Sequence, residues 1–408
     1  MLGLKHLSAI RHITKILTTR SYSAVPPLTK LTDDELLMKE AFAKFAQEKI
    51  APKVRQMEET KTQDPEIIKG LFENGFMGIE IDEEYGGTES NFMTTILAVE
   101  ELSKVDSNIS ILVDIHNSLT NPLIKRLGTA EQKQKYLPKL ATESVSSFAL
   151  SEAGSGSDAF AMKTTAKKEG SNYILNGTKM WISNSDIADI FILMANADPS
   201  KGHRGITTFI LEKGMEGLSI GKKENKLGLV ASGTCMVHLD NVKVPEENVL
   251  GEVGKGYQYA AGFLNEGRIG IGAQMVGLSQ GCFDATIPYL LERKQFGKEI
   301  YSFQGLQYQV AEIATLIEAA RLMVYNAARL QENGLPFLKE AAMCKLFTSQ
   351  VAQKVTIACI DWMGGVGFTK DFPHEKFYRD VKAGTIYEGT SNIQMTTIAK
   401  LIGRQYAS

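Results

Sequence analysis

The sequence predicts an α+β chain of several domains: a helical N-terminal domain, a middle antiparallel β-barrel domain and a C-terminal four-helix bundle. Three observations carry this. Apolar residues recur at three- and four-residue steps up to about residue 145, the period shortens to two from about 146 to 250, and long helical periods return over 256–402. The expected divisions are a leader over 1–27, then 28–145, 146–255 and 256–408. A chain of 408 residues with 43% hydrophobic residues is long enough for cores of this number.

In the first zone, Thr32 and Glu35 have the spacing of a capping box, and Met38, Phe42 and Phe45 follow on one helical face. "DPEIIKGLFENG" begins with Asp64-Pro65 and stops at Asn74-Gly75, as helix ends should. Further helical patterns cover 91–105, 108–127 and 129–142. In the middle zone "NYILNGTKMWIS" reads as a hairpin with Asn176-Gly177 as its turn. "DIFILMANA", "GITTFILEKG", "LSIGKK" and "CMVHLDNVKV" are strand-like runs without crossover helices. That disfavours a parallel Rossmann sheet and favours a small antiparallel barrel or sandwich. In the third zone Leu306, Val310, Ile313, Ile317, Ala320, Val324 and Ala327 step by four and three, the seam of an antiparallel bundle.

Composition excludes several function classes. A net charge of -2 gives no footprint for nucleic acid, and no apolar run reaches membrane-spanning length. The four cysteines (Cys235, Cys282, Cys344, Cys359) are scattered and read as reduced core residues. No HExxH occurs and no metal site is expected. The first thirty residues contain no Asp or Glu but carry Lys5, Arg11, Lys15, Arg20 and Lys30, with Leu7, Ile10, Ile13 and Leu17 on one helical face. That is the pattern of a mitochondrial transit peptide, which predicts a matrix location; a disordered cytosolic tail is the alternative.

No GxGxxG opens a strand-to-helix turn, and there is neither a GxxxxGK[ST] nor a GxSxG. The Gly-rich stretches are "FALSEAGSGSDAFAMKT" (148–164), "WMGGVGFTK" (362–370) and "EGTSN" (388–392), joined by "NEGRIG" (265–270) and "ERKQFGK" (292–298). Small residues beside hydroxyls and amides let a backbone approach a phosphate or a flat ring. Glu388 stands out, with no Lys or Arg within five residues on either side. On these residues alone, a solvated capping acid is the more ordinary role for it.

These segments, with "ENKLGL" and "TIYEGTSNIQ", resemble the acyl-CoA dehydrogenase family over nearly all of the chain after the leader, and look most like its short/branched-chain members. The resemblance implies FAD and acyl-CoA bound between three domains of a homotetramer, with electrons passed to electron-transferring flavoprotein. It implies that Phe148, Ala149, Leu150, Ser151 and Ser157 lie along the flavin, with Ser157 also bordering the CoA arm. Trp181, Ile182 and Ser183 would lie beside the isoalloxazine. Arg293 and Gln304, with Asp361, Trp362, Met363, Gly364 and Gly365, would reach the FAD of an adjacent subunit, and Thr390, Ser391 and Asn392 would close over it. Substrate contacts would come from Ser157, His203, Tyr257, Asn265, Glu266, Gly267 and Arg268. For His203 the rival role is an ordinary surface residue.

By the same resemblance Glu388 is the catalytic base, since removing a weakly acidic thioester α-proton needs a desolvated carboxylate. Isovaleryl-type members carry the base immediately before the arginine matching Arg268; here that position is Gly267. The function so implied is α,β-dehydrogenation of a short, 2-methyl-branched acyl-CoA to the trans-2-enoyl-CoA. Rivals are a straight short-chain dehydrogenase, an acyl-CoA oxidase, and a catalytically silent flavin- or CoA-binding assembly subunit.

Overall fold

A computed structural model describes residues 27–407; the expected leader lies almost wholly outside them. The Thr32 capping box forms as expected, with the Thr32 hydroxyl accepting from the Glu35 N–H and the Glu35 carboxylate accepting from the Thr32 N–H, and it opens helix α1 (Asp33–Phe45). Next come α2 (Val54–Thr60) and α3 (Pro65–Glu73), the latter capped by Asp64 and ended at Asn74. Helices α4 (Phe92–Ser103), α5 (Ser107–Asp114), α6 (Asn121–Leu127) and α7 (Ala130–Thr142) complete the first zone. Between α5 and α6 the helix widens into a π turn over Ile115–Thr120, a distortion common at functional sites.

The strands are β1 (Ser146–Ala149), β2 (Thr165–Glu169), β3 (Asn172–Ser183), β4 (Ile190–Asn196), β5 (Ile206–Glu212), β6 (Leu218–Ile220), β7 (Thr234–Pro245) and β8 (Val249–Leu250). They form one sheet in the order β6-β7-β3-β2-β4-β5-β8, with β1 paired to β4. The expected antiparallel barrel is not what forms. The sheet stays open, because its edge strands β6 and β8 are three and two residues long and do not pair. It is also mixed, since β1 runs parallel to β4 and so does β2 at Thr165–Asn196. Every residue of β4 is buried, with Ile190, Ile192 and Met194 facing the helices and Phe191, Leu193 and Ala195 facing a second core inside the sheet. A strand buried on both faces reads as a continuous apolar run.

The hairpin turn is also corrected. β2 and β3 close at Glu169–Asn172 around Gly170 (φ 61°) and Ser171, so Asn176-Gly177 falls in mid-strand. There the β3–β7 register shifts, and the Asn176 side chain binds the backbone and side chain of Asn241. The pair makes a bulge rather than a turn.

The third zone holds α8 (Gly256–Glu292), a two-stranded ribbon of β9 (Lys294–Gln295) and β10 (Lys298–Glu299), α9 (Gln304–Glu332), α10 (Leu338–Met363), α11 (His374–Asp380) and α12 (Ser391–Tyr406). The seam read in α9 is buried from Val310 to Ala327, with Leu306 partly covered. Helix α10 packs against α8, α9 and α12, while α8 also packs on α4. One apolar cluster therefore runs through all three zones, from Ile96 through Ile192 to Ile271 and Val355. All four cysteines are free and buried. Among the described residues no helix is long and apolar enough to cross a membrane.

Candidate active site

Between the sheet, α8 and the 386–390 turn lies a cavity of about 800 Å³, within the 300–1,000 Å³ typical of ligand pockets. Glu388 reaches it through an unusual backbone. Its φ is 51° and that of Gly389 is 85°, two consecutive left-handed residues that turn the chain sharply before Thr390 caps α12. The turn is held from inside. Gln394 Nε2 donates to the carbonyls of Glu388 (3.0 Å) and Gly389 (2.9 Å), and Lys345 Nζ donates to the Gly389 carbonyl at 2.7 Å.

The carboxylate so presented has no hydrogen-bond partner at its buried Oε2. Burial pushes the Glu388 carboxyl up to about 7, against the pull of the Lys345 and Arg268 cations. A second carboxylate, Asp114, lies fully buried nearby with Oδ1 unpartnered, its pKa raised by burial and by the Glu388 charge. Tyr387 donates its hydroxyl to Gln274 Oε1. Arg268 Nη1 donates to Asn265 Oδ1 at 2.9 Å and its Nε is unpartnered. A buried carboxylate near neutrality with a free oxygen is equipped to take a proton. It is not the capping acid that its sequence neighbours alone suggest.

The opposite wall comes from the sheet. The β3–β7 register slips again between Lys179 and Ile182, and the bulge gives Trp181 a φ of 64° and leaves its ring 53% exposed on the cavity. Behind it the fully buried Lys179 donates to Glu152 Oε1 (2.8 Å) and the Leu150 carbonyl (3.0 Å). Glu152 in turn accepts from the N–H groups of Lys163 and Thr164. This one ion pair joins three backbone segments under the cavity wall.

Of the residues expected at the site, Phe148, Leu150, Ser151, Ser157, Trp181, Ile182, Ser183, Asn265, Arg268, Glu388 and Thr390 line the cavity. Gly267 lies directly behind the Glu388 carboxylate. Tyr257 and His203 are not part of the lining; Tyr257 packs edge-on against the lining residue Phe160, and the His203 ring lies edge-on to Tyr257 at 4.8 Å. Ala149 instead turns into the sheet core. Glu266 faces away, bound by both Nη atoms of Arg126 at 2.5 and 3.0 Å. Ser391 and Asn392 form the first turn of α12 off the cavity lining. Arg293, Gln304, Asp361, Gly364 and Gly365 are exposed and outside it; Trp362 bonds Gln309, and Met363 is buried in the helical core. Asp114, Lys345, Gln394 and the Lys179–Glu152 pair carry no local sequence signal, since each acts across elements far apart in the chain.

The comparisons with known proteins agree with this geometry. Residues 32–144 match the acyl-CoA dehydrogenase N-terminal domain, 147–242 the acyl-CoA dehydrogenase middle domain and 254–403 the acyl-CoA dehydrogenase C-terminal domain. The chain belongs to the acyl-CoA dehydrogenase family. It is 58% identical over 380 residues to the mitochondrial short/branched chain specific acyl-CoA dehydrogenase of Rattus norvegicus, covering 93% of this chain and 88% of that protein. A chain solved in work on the electron transferring flavoprotein of Acidaminococcus fermentans has a TM-score of 0.90 at 42% identity, covering 92% and 99% of the two chains. The FAD complex of PigA has a TM-score of 0.88 at 28% identity, covering 92% and 99%.

Acyl-CoA dehydrogenases bind FAD and oxidise a CH–CH bond. The residues of this chain fit that cofactor. A half-exposed indole, the small polar residues Ser151, Ser157, Ser183 and Thr390, and Gly156 with open space where a Cβ would stand all line one cavity large enough for a ligand of that class.

Proposed function

We propose that the protein dehydrogenates short, 2-methyl-branched acyl-CoA thioesters, such as 2-methylbutanoyl-CoA or isobutanoyl-CoA, with Glu388 as the base. The observation that carries this is the buried, unpartnered Glu388 Oε2 beside a cavity walled by Trp181 and Ser183. FAD, when bound, supplies acceptance of the β-hydrogen as hydride. Glu388 takes the α-proton, and the thioester becomes the trans-2-enoyl-CoA. Ile111, Ile115, Leu119 and Leu264 exclude water, which keeps the carboxylate desolvated and basic. The Trp181–Ser183 segment would flank the flavin, and Ser157, Asn265 and Arg268 would border the thioester arm. The branched preference is supported by the specificity in the name of the rat relative.

The division at 28–145, 146–255 and 256–408 is proposed with it, as are electron-transferring flavoprotein as acceptor, a homotetramer and the mitochondrial matrix. The tetramer is supported by the exposed Leu291, Phe296, Tyr308 and Ile357, close in sequence to Arg293, Gln304 and Asp361. The location is supported by the acid-free leader and by the mitochondrial relative. The test is anaerobic mixing of the flavin-loaded protein with 2-methylbutanoyl-CoA, butanoyl-CoA or isovaleryl-CoA while the flavin absorbance is followed. Fast bleaching by the branched substrate, abolished in Glu388→Gln, supports the assignment. Bleaching by butanoyl-CoA alone keeps the chemistry and removes the branched preference.

A further inference from the structure

Among the buried cations, Lys345 stands beside Glu388 and has no part in the chemistry above. Lys345, in α10, is fully buried, and its ammonium donates to a single backbone carbonyl, that of Gly389. Burying a lysine is costly, and burial pulls its pKa down to about 8 while the Glu388 charge resists. The carbonyl it grips belongs to the turn that needs outside support. Two consecutive left-handed residues, one of them a glutamate, are strained at the non-glycine position. Gln394, also fully buried, donates to the same carbonyl and to the one before it.

On the assignment of Glu388 as base, we propose that Lys345 is a positioning residue. Its ammonium holds the Gly389 carbonyl, so that the turn aims the Glu388 carboxylate into the cavity, and its positive charge favours the charged form of that carboxylate.

The groups around Glu388 give Lys345 this part rather than another. From α8 comes Arg268, whose bonded guanidinium nitrogen is engaged by Asn265. From α5 comes Asp114, whose own ionisation is opposed by burial and by the Glu388 charge, and Tyr387 adjoins Glu388 on the turn itself. From α10 come Lys345 and its neighbour Cys344, whose thiol burial pushes up to about 12 and which therefore stays neutral. Of the two cations, Lys345 pulls harder on Glu388 and is the one bonded to the turn. Gln394 shares the holding but brings no charge, which makes the two roles separable.

The test measures flavin bleaching by saturating 2-methylbutanoyl-CoA from about pH 5 to 9, in flavin-loaded wild type, Lys345→Met, Lys345→Arg, Gln394→Leu and Glu388→Gln. In Lys345→Met the rise of rate with pH moves up by about one unit, as loss of a neighbouring cation requires, and the plateau falls. Lys345→Arg keeps the rise in place with a lowered plateau. Gln394→Leu lowers the plateau without moving the rise. A Lys345→Met profile matching wild type in both respects overturns the proposal, and so does its crystal structure with the Gly389 carbonyl unmoved. Should Lys345→Met not fold, Lys345→Arg decides, and either a shifted rise or an intact plateau overturns it. Continued bleaching by Glu388→Gln removes the base assignment instead, a separate failure.

Discussion

Gly267 and Glu388 are in direct steric register: a Cβ at position 267 would lie 3.0 Å from Glu388 Oε2 and 3.0 Å from Leu119 Cδ2. The glycine lies within α8, where alanine would gain about 1 kcal/mol in helix propensity. Gly267→Ala is therefore expected to unfold within about 1 kcal/mol of wild type while displacing the Glu388 carboxylate. Misplacement on the order of 1 Å costs about a hundredfold in rate. A drop of tenfold to a hundredfold in the bleaching rate with a near-normal urea midpoint is the outcome to measure.

Glu388 also makes stability depend on pH in an unusual direction. Its folded pKa of about 7 lies above the ordinary 4.5, so the stability it allows is full below about 4.5 and is lost as pH rises through 7. Glu388→Gln removes that loss. It should unfold on the order of 2–3 kcal/mol later than wild type at pH 8, with the gap closing at pH 4. Thermal unfolding of both flavin-loaded proteins at the two pH values checks this.

Lys179 and Glu152 test the cavity wall. Lys179→Met leaves the Glu152 carboxylate buried without its cation, a loss of about 3–5 kcal/mol. Because the pair ties the Leu150 carbonyl to the strand bearing Trp181, flavin should be lost with it. Flavin content after gel filtration and a urea melt give the two readings, and Glu152→Gln added to Lys179→Met should recover part of the stability.

Glu35 ties α1 to α9. Arg329 grips it with two bonds of 2.7 Å. Burial alone would raise its pKa, but Arg329, the Thr32 N–H and Asn91 hold it at about 2. A depressed carboxylate gives stability that is present above about 4.5 and lost as pH falls toward 2. Glu35→Gln should cost about 2–3 kcal/mol at pH 7 and progressively less in acid; urea melts at pH 7 and pH 3 measure the difference.

The sequence by itself determined the order of the three zones, the Thr32 and Asp64 caps, the buried seam of α9 and the family, and it singled out Glu388. Each depends on residues near one another in the chain, as periodicity, caps and the motif around Glu388 all do. The hairpin itself closes locally at Glu169–Asn172, while the mid-strand bulge at Asn176 was decided by pairing with a strand 65 residues away, at Asn241. The same is true of the site's electrostatics. Lys345, Asp114 and Arg268 reach Glu388 from three different helices, and a carboxylate's pKa is set by what surrounds it in space. Only the tertiary structure turns an isolated glutamate into a desolvated, unpartnered carboxylate.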